Sequence, residues 1–269
     1  PWFGILDAER MALACIDEAM RNVVAVGADP DKAVLLDNFS WGDPRRETTL
    51  GELVAAVDGC VTGAHAFAAP FVSGKDSLNN EYLGSDGERH SVPPTLVITA
   101  VAHVPNANRT VTADLKGAGN TIILVGRTLP EFGGSHAAMV CNAQSTCVPS
   151  FDEQSPTHYR AVHALMLQQK IRSCHDCSEG GLGVTVAEMA MAGRLGVALL
   201  PTDDAHTHLF SESLGRLVLE VEAAHVSDVL TALPGAQVIG SVTTTPFLVL
   251  PDNSALSVDT MLTVWQAPQ

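Results

Sequence analysis

Segments with helical and with strand-like patterning alternate along all 269 residues, which restricts the chain to an α/β or α+β fold. Ala8, Met11, Ile16, Met20 and Val23 recur at helical spacing and predict a helix over 7–27, ending at Gly27. KAVLLD (32–37) reads as a buried strand, 38–46 as a loop rich in Gly, Pro, Asp and Trp, and 50–69 as a second helix. A short strand at 71–73 runs into Gly74, and 95–104 is a strong strand. Two turn clusters follow, PNANR (105–109) and KGAGN (116–120), and they place a domain boundary between 106 and 107. The second unit, 107–269, reads as strands at 121–125, 197–200, 216–221, 237–242 and 247–250 with helices at 155–172, 182–192 and 223–233.

Apolar residues make up 46% of the chain and charged ones 17%, the profile of a packed globular protein. No apolar run is long enough to span a bilayer, and the opening Pro-Trp-Phe-Gly does not look like a signal peptide. A net charge of −15 argues against nucleic acid and anionic membranes as partners. An anionic small ligand then needs local help from a metal ion, backbone N–H groups or a few basic side chains. The six cysteines read as reduced thiols of a cytosolic protein. Cys174 and Cys177 have CxxC spacing, but zinc would want a second pair and redox chemistry a thioredoxin-like context.

Four segments carry candidate chemistry. Glu18 and Asn22 lie four residues apart on the opening helix, so their oxygens share a face and suit Mg²⁺ together with phosphate and water; the same pair also reads as an exposed polar stripe. Asp37 ends an apolar strand before a glycine-containing loop, a usual place for a ligand in α/β folds and equally for a turn-capping Asp. In Ser73-Gly74-Lys75-Asp76-Ser77, glycine allows close approach of a phosphate, Lys75 adds charge and Ser77 a hydroxyl, although P-loop spacing is absent; the alternative is a polar hairpin loop. In His175-Asp176-Cys177-Ser178-Glu179-Gly180-Gly181, acidic residues precede a helix N-terminus that favours an anion, with Ser178 a candidate cap and His175 read as structural rather than as a general base.

Taken together, DEAMRNVVAVGADP (17–30), DNFSWGDP (37–44), PFVSGKDSLNNE (70–81), GGSHAAMV (133–140), HDCSEGGLGVTVAEMAMAG (175–193) and FSESLGRLVLEV (210–221) resemble the synthetase half of phosphoribosylformylglycinamidine synthase, in the family's order. The resemblance implies an aminoimidazole ribotide synthetase-like fold: an N-terminal α/β domain, truncated at its start (1–106), then a C-terminal α/β sandwich domain (107–269), as the second of two homologous halves. It implies an ATP-dependent carbon–nitrogen ligase of cytoplasmic purine synthesis. ATP activates formylglycinamide ribotide, and ammonia delivered by a glutaminase domain or subunit forms the amidine.

Residue by residue, the resemblance puts Asp37 and Gly74 at ATP and Ser77 at substrate. Lys75 stands where some members have a metal-binding Asn; a lysine cannot ligate Mg²⁺ but can meet phosphate. Glu18, Asn22 and Asp176 match magnesium ligands, and Ser178 a nucleotide contact, of a second, non-catalytic site. The family's catalytic histidines lie in the first half, so no catalytic residue is expected here. The first half of the synthetase is the expected partner, with a homodimer of the fragment as a further arrangement. Two alternatives accompany this reading. One is a scaffold half holding a structural nucleotide. The other is a further enzyme of the fold, such as aminoimidazole ribotide synthetase, selenophosphate synthetase or thiamine-phosphate kinase.

Overall fold

The computed structural model describes residues 1–267. The helix expected over 7–27 forms as Ala8–Ala25, capped by the Asp7 side chain, which accepts from the Arg10 N–H at 2.9 Å. Its apolar stripe of Met11, Ile16, Met20 and Val24 is buried. It packs beside the helix Glu47–Phe67 and over a three-stranded sheet ordered Phe71–Ser77, Asp29–Ser40, Thr95–His103. The first two of these strands are parallel and the third is antiparallel to the middle one.

Side chains alternate across this sheet with the period of the strand. Leu35, Phe39 and Leu96 are buried on the face that meets the helices. The opposite face carries Leu36, Asn38 and Ser40 with Val97, Thr99 and Val101, and Val97 and Val101 are 56% and 55% exposed. The strand Asp29–Ser40 runs three residues past Asp37, into the stretch whose composition reads as a loop. Phe71–Ser77 likewise continues through Gly74 to Ser77, where a hairpin loop is the sequence alternative. Both extensions have one cause: parallel pairing from Leu36↔Ser73 to Ser40↔Ser77 supplies backbone hydrogen bonds to residues of low strand propensity.

The remainder is a seven-stranded sheet in the order Ala255–Ser257, Phe247–Val249, Gly196–Leu199, Gln237–Thr243, Thr121–Val125, Leu217–Val221, Ser173–Asp176. Ile123 and Val125 face one hydrophobic cluster, Ile122 and Leu124 the other. The first cluster is shared by both ends of the chain. Met20, Val24 and Phe67 pack in it with Tyr159, Val162 and Leu219, and Phe67 stacks on Tyr159 with centroids 5.6 Å apart. The helix starting at Ser155 ends at Leu167 instead of running to 172, because Gln169 turns left-handed at φ 59°. Among the described residues, no helix is long and apolar enough to cross a membrane.

A buried ion pair fastens the helix Ala8–Ala25 to the second part of the chain. Asp17 and Arg21, one turn apart and almost wholly buried, meet at 2.9 Å. Asp17 also accepts from the Tyr159 hydroxyl at 2.7 Å and the Gly215 N–H at 3.0 Å, while Arg21 donates to the Cys177 carbonyl. Removing one member of such a pair strands the other charge in the interior. Arg21→Met is expected to lower the unfolding free energy by about 3–5 kcal/mol in urea titration; a loss below about 1 kcal/mol would show that the pair is not what holds the helix.

Candidate functional site

Glu18 and Asn22 follow Asp17 and Arg21 by one residue each, so they emerge about 100° around the same helix from the buried pair. They line a cavity of about 330 Å³ together with Leu96, Ile98, Glu179 and Glu212. Across from them, Asp176 ends the edge strand Ser173–Asp176, which pairs antiparallel with Leu217–Val221. The Asn22 side-chain amide lies 3.3 Å from both Asp176 carboxylate oxygens, turned so that its nitrogen donates to them. Burial, together with the nearby negative charges of Glu179 and Asp176, raises the Glu18 pKa despite Arg21. Glu18, Asn22 and Asp176 therefore belong to one acidic locus.

Among the described residues, no three His, Cys, Asp or Glu side chains group as a metal site. The donor set here is two carboxylates and one amide. That is too sparse for a dedicated protein cage but fits Mg²⁺, which keeps waters and phosphate oxygens as its remaining ligands.

Asp176 also lines a second cavity of about 540 Å³ with His136, His175, Ser178, Glu179, Gly180, Thr185 and Glu188. His136 and Glu179 border both cavities, which makes the two spaces neighbours. His175 bridges Asp176 at 3.0 Å and Glu188 at 2.8 Å. Burial disfavours its charged form, but the two carboxylates outweigh that and raise its pKa to about 9. Burial would likewise raise Asp176; hydrogen bonds from His175 and Ser178 prevail and hold it down at about 2. Ser178 does not cap the following helix, as its position suggested. Its hydroxyl is committed to Asp176, and Gly180 is the N-cap of Gly181–Gly193. A Cβ on Gly181, which sits at φ 69°, would stand 2.5 Å from the Ser211 carbonyl oxygen, so only glycine allows this helix to start against that segment. Glu212 ties the turn down, accepting from the N–H groups of Gly180 and His136, each at 2.8 Å.

The second group of residues does not form a single cleft. Asp37 pairs with Gly74 in the parallel ladder and lines an apolar cleft of about 480 Å³ with Phe39, Leu53, Cys60, Phe71 and Asp76. A Cβ at Gly74 would lie 2.1 Å from Asp37 Oδ1, so glycine is what admits that carboxylate. Burial raises the Asp37 pKa, and the Asp76 carboxylate raises it further. Lys75 and Ser77 alternate with Gly74 and Asp76 and therefore stand on the open face of the sheet, beside Asn38 and Ser40. There the Lys75 ammonium donates to the Ser77 hydroxyl. Asp37 and Ser77 thus occupy opposite sides of one strand pair at the edge of the sheet.

Comparison with known proteins adds the family. A model of the AIR synthase related protein, C-terminal domain, matches residues 117–251, half of the chain. The corresponding N-terminal domain model matches residues 2–104. The chain belongs to the AIR synthase related protein family. One curated relative is the phosphoribosylformylglycinamidine synthase subunit PurL of Synechocystis, 34% identical over 221 residues that cover 80% of this chain and 28% of the relative. The AIR synthase related chain thus spans under a third of that protein's length. Two solved structures share its fold: T. maritima PurL complexed with FGAR, at TM-score 0.74 and 15% identity over 96% of this chain and 43% of that one, and T. maritima PurL complexed with ATP, at TM-score 0.69 and 15% identity over 96% and 42%.

Of the residues around the acidic locus of this AIR synthase related chain, sequence reasoning singled out Glu18, Asn22, Asp176 and Ser178. It gave no role to Glu188, His136 or Glu212. Glu188 is legible as the residue two turns into the 181–193 helix on the cavity face; nothing local marks His136 or Glu212, which arrive through long-range contacts. The close approach at Gly74 is open to a direct test. Gly74→Ala is expected to destabilise the fold by about 1–2 kcal/mol, and the penalty is expected to vanish in an Asp37→Ala background, as read from a double-mutant cycle in denaturant.

Proposed function

We propose that this chain is part of a phosphoribosylformylglycinamidine synthase, the second homologous half of its synthetase portion. The reaction converts formylglycinamide ribotide, ATP and glutamine-derived ammonia to formylglycinamidine ribotide, ADP and phosphate in cytoplasmic purine biosynthesis. The observation that supports the reading is that Asn22 meets Asp176 at 3.3 Å across the seam, with the Glu18 carboxylate close enough to feel the Asp176 charge. On this reading Glu18, Asn22 and Asp176 hold Mg²⁺, and Ser178 contacts the nucleotide of a non-catalytic site. Bound there, the ion would neutralise and bridge phosphate oxygens, which a chain of net charge −15 cannot do unaided. The division into a partial N-terminal domain (1–106) and a C-terminal domain (107–269) belongs to the same proposal.

Asp37, Gly74 and Lys75 are assigned to the ATP of the catalytic site and Ser77 to the substrate, with no catalytic residue in this chain. Because Lys75 and Ser77 stand on the open sheet face, the site they serve is completed by whatever covers that face. The first half of the synthetase is the proposed cover, and a second copy of the fragment is the substitute when that half is missing. A glutaminase domain or subunit supplies the ammonia.

A second reading, a scaffold half stabilised by a structural nucleotide, is favoured by one feature. The oxygen donors span the first helix and the second sheet, so a ligand held by both strengthens the seam between them. The two readings separate in the full-length enzyme. At MgADP about 100-fold above its dissociation constant, a structural site adds about 2.7 kcal/mol of stability. Glu18→Ala and Asp176→Ala are expected to abolish that gain in thermal unfolding and to keep turnover. Asp37→Ala and Ser77→Ala are expected to lose turnover with the melting temperature unchanged. ADP release by the present chain alone, given formylglycinamide ribotide, ATP and ammonia, would overturn the synthase reading.

A further inference from the structure

We propose that Trp265 is the base-stacking residue of the cavity at Asp176 and Ser178, where it takes the flat heteroaromatic ring of a nucleoside diphosphate. The inference rests on reading that cavity as a nucleotide site, and extends it by naming what recognises the base.

The cavity of about 540 Å³ lies within the usual range for small-molecule sites. Asp176, Ser178, Glu179 and Gly180 line it next to the start of the Gly181–Gly193 helix. The donors and dipole of that helix start favour phosphate. Val184, Thr185 and Glu188 continue the lining along one face of the same helix. At about 1.5 Å per residue, the step from Gly181 to Glu188 covers roughly 10 Å, the scale of a nucleoside diphosphate laid lengthwise.

Trp265 comes to the lining from a separate element. It closes the helix Val258–Trp265, which packs on Gly181–Gly193, and its side chain both lines the cavity and is 66% exposed. Val184, 40% exposed, is the other apolar residue of the lining. An exposed indole in the same lining as phosphate-favouring groups matches the two chemistries of a nucleotide. Aromatic stacking is tolerant of which base is bound, because every base presents a π-face. Trp265 therefore sets affinity for the base, and the carboxylates and cation set affinity for the phosphates.

The test uses the full 269-residue chain. The other two indoles are Trp41, fully buried, and Trp2, which lines the neighbouring cavity. MgADP is expected to quench the fluorescence of the wild-type chain, and Trp265→Phe to abolish the quench while calorimetry shows affinity within about threefold. Trp265→Ala is expected to weaken MgADP on the order of tenfold and to leave magnesium pyrophosphate, which has no base, unchanged. The side chain is mostly exposed, so the thermal midpoint of Trp265→Ala should match wild type. Equal MgADP affinity in wild type and Trp265→Ala overturns the stacking role, as does a parallel loss for pyrophosphate. If Asp176→Ala leaves MgADP affinity unchanged, the nucleotide reading of the cavity itself fails, whatever Trp265 does.

Discussion

The ion pair of Asp17 and Arg21 is the interaction on which the positions of the other polar residues depend. Two charges brought into the interior must recover their lost hydration from each other and from hydrogen bonds. Here Tyr159, the Gly215 N–H and the Cys177 carbonyl supply those bonds, and each comes from the second part of the chain. The first helix therefore cannot rotate or slide without stranding a charge. That constraint fixes Glu18 and Asn22 as well, one residue further around the helix. The carbonyl that Arg21 grips belongs to Cys177, the residue directly after Asp176. The same contact that docks the helix thus sets the spacing between Asn22 and Asp176. A lysine at position 21 would keep the charge, but it lacks the planar fork that reaches a carboxylate and a carbonyl at once.

Much of the fold is legible in the sequence where burial on one or two faces imposes a period. Ile122 to Val125 reads as a central strand because both of its faces are buried, and the Met11–Ile16–Met20 stripe reads as a helix because one of its faces is. Elements whose residues bury little are not legible. The hairpin of Glu81–Leu83 with Arg89–Ser91, the helix Ala205–Phe210 and the edge strand Ser173–Asp176 are three to six residues long and largely polar or short of a period. Ser173–Asp176 is a strand because Leu217–Val221 offers it an edge, a fact that exists only in three dimensions. The C-terminal helix Val258–Trp265 is legible by the same rule, since Val258, Met261, Leu262 and Trp265 recur at helical spacing, although the reading of the sequence assigns no helix there.

For the candidate site, residue types were readable and geometry was not. Carboxylates and amides at Glu18, Asn22 and Asp176 suit a hard cation by composition alone; that Asn22 and Asp176 meet at 3.3 Å follows from the docking of a helix on an edge strand 154 positions away in numbering (176 − 22). Asp37 and Ser77 show the opposite case. Each is plausible as a ligand contact, yet the parity of the strand register sends them to opposite faces, and parity depends on a bulge between Leu35 and Leu36 that no local pattern announces. Ser178 illustrates competition: a serine before a helix is a good cap, but here its hydroxyl donates its hydrogen bond to the Asp176 carboxylate instead.

These two locations differ in how far the chain completes them. The acidic locus is walled by the chain's own elements on several sides: the first helix, the edge strand, the Gly180–Gly181 turn and the Glu212 segment. The sheet face that carries Lys75 and Ser77 has no such wall, and Val97 and Val101 lie open beside them. Electrostatic stabilisation of a reacting phosphate requires a site from which water is excluded and whose dipoles are already in place. Within this chain the acidic locus is the more nearly walled of the two, and His175 is held there between two carboxylates. The chain therefore brings its own walls to the acidic locus and leaves the sheet face of Lys75 and Ser77 open.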